Sequence, residues 1–394
     1  METLITVERA FDLIQEHVGA LSPESRSLIE ANGLVLAEDI FAQNDFPAFL
    51  QSNMDGYAFA YQEGVTTYEI RGEVAAGDKP VYSLPSGKAT RIFTGAALPD
   101  GADTVLVQEK AIVEGSQLKL VDADLQMGMH TRPIGSEIKK GALALEKGTL
   151  LRPNVIGFLA SIGVESVLVY PNPKVGIIIT GNELVKPGGI LLKGKVYESN
   201  SYTLITALEQ LGITDIEAVQ VKDELSYLTI TLSDMLKHKD LILMTGGVSV
   251  GDYDFTFKAF EASNVHCIFH KIQQKPGKPL LFGKKDNAIV FGLPGNPASV
   301  LTCFYEYVLT VMHYQTKRDI TLKSLTVPMS NTFKKPAGLK HFMKAIYDGK
   351  SVQIPTGQES YKLSSYAKAN CLAVIPESIT QVHEGDRITI HLLP

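Results

Sequence analysis

Cysteine is scarce: Cys267, Cys303 and Cys371 lie far apart and form no C-x-x-C pair. That excludes a disulfide framework and a zinc ribbon, and it points to a reducing compartment. No apolar run approaches the ~18 to 20 residues that a membrane-spanning helix needs. The first nine residues, Met1 to Arg9, lack the basic and apolar segments of a signal peptide, so a cytoplasmic location is expected. A surplus of positive charge is also missing: 37 Lys and Arg stand against 43 Asp and Glu, a formal net charge of −6. The whole-molecule field therefore attracts neither nucleic acid nor an anionic membrane, and an anionic ligand must be held by local lysines and backbone N–H groups. No Ser-His-Asp or Cys-His set is visible, and His266 and His270 are not expected to form a metal pair.

What is present is a long chain of ordinary globular composition, with 394 residues, 45% hydrophobic and 20% charged. It is expected to divide into about two to four domains. From 171 to 314, strand patterns at 175–180, 216–221, 240–245, 266–271 and 288–292 alternate with helix patterns at 200–211, 224–238 and near 253–262. Another helix opens at Pro297. This alternation predicts a mostly parallel sheet with helices on both faces. Upstream, apolar residues at helical spacing predict a helix over 6–18. A strand is expected at 34–40, a strand-rich region over 45–135, and short strands with a helix near 155–162 after it. Beyond 315, strands at 320–328, 350–354, 371–375 and 387–392 predict a small β-barrel or sandwich. The fold class is multidomain α/β plus β, built on a central three-layer α/β/α domain.

The stretch from 240 to 299 organises the rest. Its first strand breaks into Gly246-Gly247-Val248-Ser249-Val250-Gly251-Asp252-Tyr253-Asp254. Glycines and a serine directly after a buried strand let backbone N–H groups approach an oxyanion. Next come Lys271-Ile272-Gln273-Gln274-Lys275-Pro276-Gly277-Lys278-Pro279 and, after a further strand, Gly292-Leu293-Pro294-Gly295-Asn296-Pro297-Ala298-Ser299. The strand at 175–180 likewise ends in Gly181-Asn182-Glu183-Leu184. Any one of these is an ordinary turn. In open α/β sheets, however, loops leaving the carboxyl ends of parallel strands converge on one ligand-binding crevice, so four of them together argue for a site.

These motifs, with Ser52-Asn53-Met54-Asp55-Gly56-Tyr57-Ala58 upstream, closely resemble the molybdopterin molybdenumtransferase family, which includes the bacterial MoeA proteins and the C-terminal domain of gephyrin. They occur in the family's order, and the resemblance covers essentially the whole chain. It implies an enzyme that inserts molybdate into the dithiolene of adenylylated molybdopterin, releasing AMP. It also implies a homodimer and contact with the molybdopterin adenylyltransferase. Residues 1–44 and 136–170 would form one elongated discontinuous dimerisation domain, 45–135 a strand-rich domain, 171–314 the molybdopterin-binding domain and 315–394 the C-terminal barrel. By the same resemblance Asp55 and Thr94 lie at the active site, and Glu137 stands where the family usually has aspartate. The loop with Ser199 and Asn200 would help hold the pterin, and the Ser-rich segment around Ser360 would return to the oxyanion site. Lys340 replaces a frequent arginine, keeping the charge but losing the planar fork.

The chemistry demands cations and N–H donors for a pyrophosphate and a dianionic oxyanion. Lys271, Lys275 and Lys278 supply point charges on a backbone fixed by proline and glycine. Gly292 to Ser299 adds donors at a helix N-terminus and the Ser299 hydroxyl, so a tetrahedral anion is expected between this loop and Lys275 or Lys278. Glu183, Asp223, Asp254, Asp55 and Glu137 form the acidic half. Such a cluster becomes reasonable with Mg2+, expected on Glu183 and Asp254 near the pyrophosphate. Asp223 reads equally as the N-cap of the next helix, and Ser199 or Asn200 as an ordinary cap. A non-catalytic scaffold could lose carboxylates and lysines while keeping its glycines; here both sets are present. A lone adenylyltransferase domain would lack the flanking segments.

Overall fold

The structure, a computed structural model, describes residues 1–78, 83–247 and 255–394. The chain forms two compact units: one comprises Met1–Arg26, Gly33–Val35 and Leu168–Pro394, the other Ser27–Asn32 and Leu36–Val167.

The first unit is built on a seven-stranded sheet. Its strand order is Glu2–Ile5, His266–Ile272, Leu281–Lys285, Ala288–Leu293, Leu241–Thr245, Val175–Thr180, Ile216–Val221. The last four run parallel to one another, whereas Leu281–Lys285 is antiparallel to both neighbours. Val175–Thr180 and Leu241–Thr245 are buried at every position, as strands covered on both faces must be. Their alternate residues serve opposite layers. Ile177, Ile179, Leu243 and Phe291 pack with Leu204, Leu208 and Val311, while Ile178, Ile242, Met244 and Val290 pack with Leu228, Leu232 and Phe260.

Two strands were not legible in advance. Leu281–Lys285 forms a hairpin with Ala288–Leu293, turning through Asp286 in the left-handed region at φ 51°. Glu2–Ile5 joins the far edge in parallel with His266–Ile272. The helix Val7–His17 follows, capped by Thr6 Oγ1 accepting the Arg9 N–H at 3.2 Å. It buries Val7, Ala10, Leu13 and Ile14 in the sheet's core. Residues Met1–Arg26 belong to this first unit, and in the second unit Ile40–Phe41 pairs with Leu143–Leu145.

Residues beyond 323 form a second sheet in the first unit. Its order is Gln274–Lys275, Lys340–Tyr347, Cys371–Ile375, Arg387–Leu392, Ser324–Pro328, with Val352–Gln353 also on Lys340–Tyr347. A bridge between Met329 and Val352 closes it into a small barrel around Met343, Ala345, Ala373 and Ile390.

The second unit holds a six-stranded sheet in which Gly56–Phe59 lies between Lys88–Ile92 and Thr104–Val107, antiparallel to both. Its core gathers Phe59, Tyr68, Ile92 and Leu106. The three cysteines are free thiols. Among the described residues no helix is long and apolar enough to cross a membrane.

Candidate active site

The exits of the parallel strands open onto one cavity of about 560 Å3. Thr180, Glu183 and Leu184 contribute one wall, residues 196–200 a second, and Gly246 with Gly295, Asn296 and Pro297 a third; Tyr361 and Leu363 complete it. Glu183, Ser199, Asn200, Gly246, Gly295 and Pro297, drawn from four separate motifs, are therefore brought together. Among the described residues, Glu183 and Glu198 are the charged side chains of this wall.

Glu198 had not stood out in the sequence. It is buried, and its carboxylate accepts the Ser201 N–H at 2.8 Å and the Ser201 hydroxyl at 2.5 Å. That bond satisfies the first turn of the helix Asn200–Gln210; Ser199 occupies the cap position without a side-chain bond. The ordinary-cap reading of Ser199 and Asn200 is thereby corrected. Asn200 instead reaches across the cavity wall, donating Nδ2 to the Gly295 carbonyl at 3.0 Å.

The strand exits touch at Gly246. Its φ is 89°, and a Cβ there would lie 2.2 Å from the Thr180 carbonyl oxygen, so only glycine lets the two chains approach. Thr180 donates its hydroxyl to Asp223 Oδ1 at 3.0 Å, and Gly247 faces the same carboxylate. Asp223 thus ties two strand ends together, while Glu224 holds the N-cap position of Leu225–Met235. Its reading as an N-cap falls. Ser249, Gly251 and Asp254 lie outside the described residues.

The start of the helix Pro297–Cys303 differs from expectation. Ala298 N–H donates to the Ser360 carbonyl at 3.0 Å, and Ser299 and Val300 donate to the Asn296 carbonyl at 2.9 and 3.0 Å. The chain itself takes these donors. Ser299 is buried and is not part of the cavity wall, as is Pro294. Ser360 does return to this loop, accepting Asn296 Nδ2 at 3.0 Å on its hydroxyl. Its segment is gathered by Lys344, whose buried ammonium donates to the carbonyls of Gly357, Glu359 and Lys362 at 3.0 to 3.2 Å. Burial holds the Lys344 pKa below that of a free lysine.

The lysine turn lies beside the helix Pro297–Cys303, where a Cβ on Gly277 would be 3.9 Å from the Ser299 carbonyl oxygen, but its charged groups do not line the strand-exit cavity. Lys275 lines a second cavity of about 530 Å3 together with Lys334, Lys335, His341 and Glu359. Lys278 is exposed, and Lys271 takes φ 72° with its N–H on the Leu280 carbonyl at 3.0 Å. None of the three belongs to the wall of the strand-exit cavity. Lys340 forms an ion pair with Glu8 of the N-terminal helix. Burial raises the Glu8 carboxyl, but Lys340, the Glu8 main chain and Thr6 together more than reverse this and leave it below its ordinary value. Lys340, expected to grip an anion, here has its charge matched by Glu8. His341 is nearly fully buried; burial first, then Lys335 and Lys275, push its pKa down to about 4, so the imidazole is neutral at pH 7.

In the second unit the exposed Asp55 precedes the strand Gly56–Phe59 and Thr94 follows Lys88–Ile92. The register Gly56 to Ile92 places both at one end of the sheet. The Thr94 main-chain N–H and hydroxyl both donate to Asp55 Oδ1 at 2.8 Å. These bonds, with a smaller pull from Arg91, hold the Asp55 carboxyl below its ordinary value. Arg91 in turn donates to the Gly56 carbonyl at 2.9 Å and packs its guanidinium over Tyr57 and Phe93. Glu137 is exposed on a separate loop anchored by its N–H to the Phe46 carbonyl at 2.9 Å. Among the described residues no three His, Cys, Asp or Glu side chains converge on a metal position.

Three family models match the chain in order. The MoeA N-terminal region (domain I and II) covers residues 5–163, a probable molybdopterin binding domain 176–314, and the MoeA C-terminal region (domain IV) 326–393. A molybdopterin molybdenumtransferase of Haemophilus influenzae is 34% identical over 386 residues, 94% of this chain and 95% of that one. The chain belongs to the molybdopterin molybdenumtransferase family. The Bacillus subtilis protein of the same name is 30% identical, with 91% of this chain and 87% of that one covered. A crystal structure of the molybdopterin biosynthesis MoeA protein from Pyrococcus horikosii is similar with a TM-score of 0.84 at 27% identity, covering 99% of both chains. Within this family frame, the strand-exit cavity falls in the stretch matched as molybdopterin binding, except for Tyr361 and Leu363, which the C-terminal region supplies.

Proposed function

We propose that this chain is a molybdopterin molybdenumtransferase of molybdenum cofactor biosynthesis, which inserts molybdate into the dithiolene of adenylylated molybdopterin and releases AMP. The observation that carries this reading is the convergence of Glu183, Ser199, Asn200, Gly246 and Gly295 on one cavity, in a chain whose relatives bear that name.

Charge supports a division of labour. The strand-exit cavity, with Glu183 and Glu198 in its wall and the aromatic rings of Tyr197 and Tyr361 beside them, suits a heteroaromatic ring bearing N–H donors. Lys275 and Lys334 around the second cavity suit the molybdate dianion, while the Lys335 ammonium, bonded to the Pro336, Leu339 and Glu377 carbonyls, adds its positive charge from beneath. The neutral state of His341 leaves that cavity's charge to its lysines and Glu359. Glu183 offers hard oxygen donors of the kind Mg2+ takes, with Asp254 as its proposed partner. When bound, the ion would polarise the pyrophosphate. Asp55, held ionised by Thr94, is proposed to act in a homodimer. The protein would work in the cytoplasm and receive its substrate by contact with the molybdopterin adenylyltransferase.

Purified protein mixed with adenylylated molybdopterin, Mg2+ and molybdate or tungstate tests this through AMP release and metal incorporation. Oxyanion-dependent AMP release is expected, and Asp254→Asn should slow it without unfolding the chain. No such release from folded protein would favour a non-catalytic scaffold.

A further inference from the structure

The turn Lys275-Pro276-Gly277-Lys278 rests on one buried amide. Gln274 is fully buried, and both ends of its side chain are engaged. Nε2 donates to the carbonyls of Pro276 at 3.1 Å and Gly277 at 3.3 Å, and Oε1 accepts the Tyr307 hydroxyl. Tyr307 is also fully buried and stacks on Phe11 with centroids 5.2 Å apart. It sits in Phe304–Val308, where the helix widens to π geometry. Such widenings are rare and favour functional sites. The fit is close as well: a Cβ on Gly277 would lie 2.5 Å from Cys303 Sγ and 2.8 Å from Gln274 Nε2. On its other side the segment is pinned by parallel pairing of Gln274–Lys275 with Lys340–His341.

An apolar side chain would fill this space without requiring partners, so the amide needs a reason. Buried polar groups whose bonds are met specify geometry more than they add stability. Here the geometry specified is that of a turn flanked by two lysines.

We propose that Gln274 is a positioning residue for oxyanion binding: the Tyr307–Gln274 strut fixes the Pro276 and Gly277 carbonyls and thereby the direction from which Lys275 presents its charge. The inference rests on the reading that Lys275 helps hold molybdate. A lysine side chain is flexible, so its root must be rigid if the ammonium group is to meet a small anion.

The test measures metal insertion against molybdate concentration, with thermal melts to establish folding. Gln274→Met, which keeps length and removes all three hydrogen bonds, should raise the molybdate concentration for half-maximal insertion roughly tenfold while kcat stays within about twofold. Tyr307→Phe, which removes only the hydroxyl, should move it roughly threefold in the same direction and carries the test if Gln274→Met does not fold. In a Lys275→Met background, Gln274→Met should add less than about twofold, since it acts through that lysine. Unchanged half-saturation in folded Gln274→Met, or losses that multiply in the double variant, would overturn the strut. If Lys275→Met alone leaves half-saturation unchanged, the oxyanion reading falls and the strut with it. If Lys275→Met raises it and Gln274→Met does not, only the strut falls.

Discussion

Thr94 clasps one oxygen of Asp55 with two donors, its main-chain N–H and its hydroxyl, each at 2.8 Å. Residues 39 positions apart in sequence meet because antiparallel pairing of Gly56–Phe59 with Lys88–Ile92 brings a strand start beside a strand end. Thr94→Val removes the hydroxyl and leaves the N–H. The Asp55 pKa should then rise toward its ordinary 3.8, as followed by carboxyl-carbon NMR titration. The sign is that of a depressed acid: any stability from this pair is present above 3.8 and is lost as pH falls through the lower folded value. An unchanged titration would show that the hydroxyl does not stabilise the carboxylate.

His341 is also lowered, but by burial of the ring instead of by donors to its charged form. Its folded pKa of about 4 lies below the ordinary 6.5, so the unfolded chain takes up the proton first as pH drops. Stability should be full above about 6.5 and decline toward pH 4, by up to about 3 kcal/mol. Denaturant melts between pH 7.5 and 4.5 should show this slope, and His341→Gln should flatten it. Equal slopes in both proteins would remove His341 from the account.

Glycine is required at Gly246 for reach as well as for conformation. Gly246→Ala places a methyl 2.2 Å from the Thr180 carbonyl oxygen at φ 89° and should cost about 2–4 kcal/mol. Gly64, at φ 79° with nothing within 4 Å of its added Cβ, supplies the control. Gly64→Ala should cost only about 1 kcal/mol. Thermal melts that rank the two alike would count against the close approach.

Lys344 holds three carbonyls of the segment that carries Ser360. Lys344→Met removes that donor; the Ser365 hydroxyl still reaches the Gly357 and Lys362 carbonyls at 2.7 and 3.0 Å, so the loss falls mainly on the Glu359 carbonyl and should cost about 1–3 kcal/mol. Hydrogen exchange should rise first at residues 357–362 and at Ala298, whose N–H rests on the Ser360 carbonyl. Protection that stays intact there would mean that the segment is held by other contacts.

Val175–Thr180 and Leu241–Thr245 were legible because interior strands must be apolar throughout, and Ile216–Val221 at the sheet's edge and Cys371–Ile375 and Arg387–Leu392 in the barrel also occupy their expected ranges. Glu2–Ile5 was not, since among the described residues it pairs with a strand more than 260 residues away in sequence. Lys344 and Gln274 left no trace either. Each sits in a strand pattern as a polar residue that would normally face solvent, and only the closure of the barrel and the packing of the Phe304–Val308 turn bury them.

By itself, then, the order of residues determined which segments become strands, which turns need glycine, and where cations and carboxylates are available, because those follow from local sterics and from patterned apolarity. Tertiary structure alone decided which charges stay available. It paired Lys340 with Glu8, gave Asp223 the Thr180 hydroxyl, bonded the helix start at 298–300 to carbonyls of the chain itself, and put Lys275 around a different cavity from Glu183. The reason is physical: a hydrogen bond or ion pair is a relation between groups distant in sequence, and it exists only once packing has set their separation.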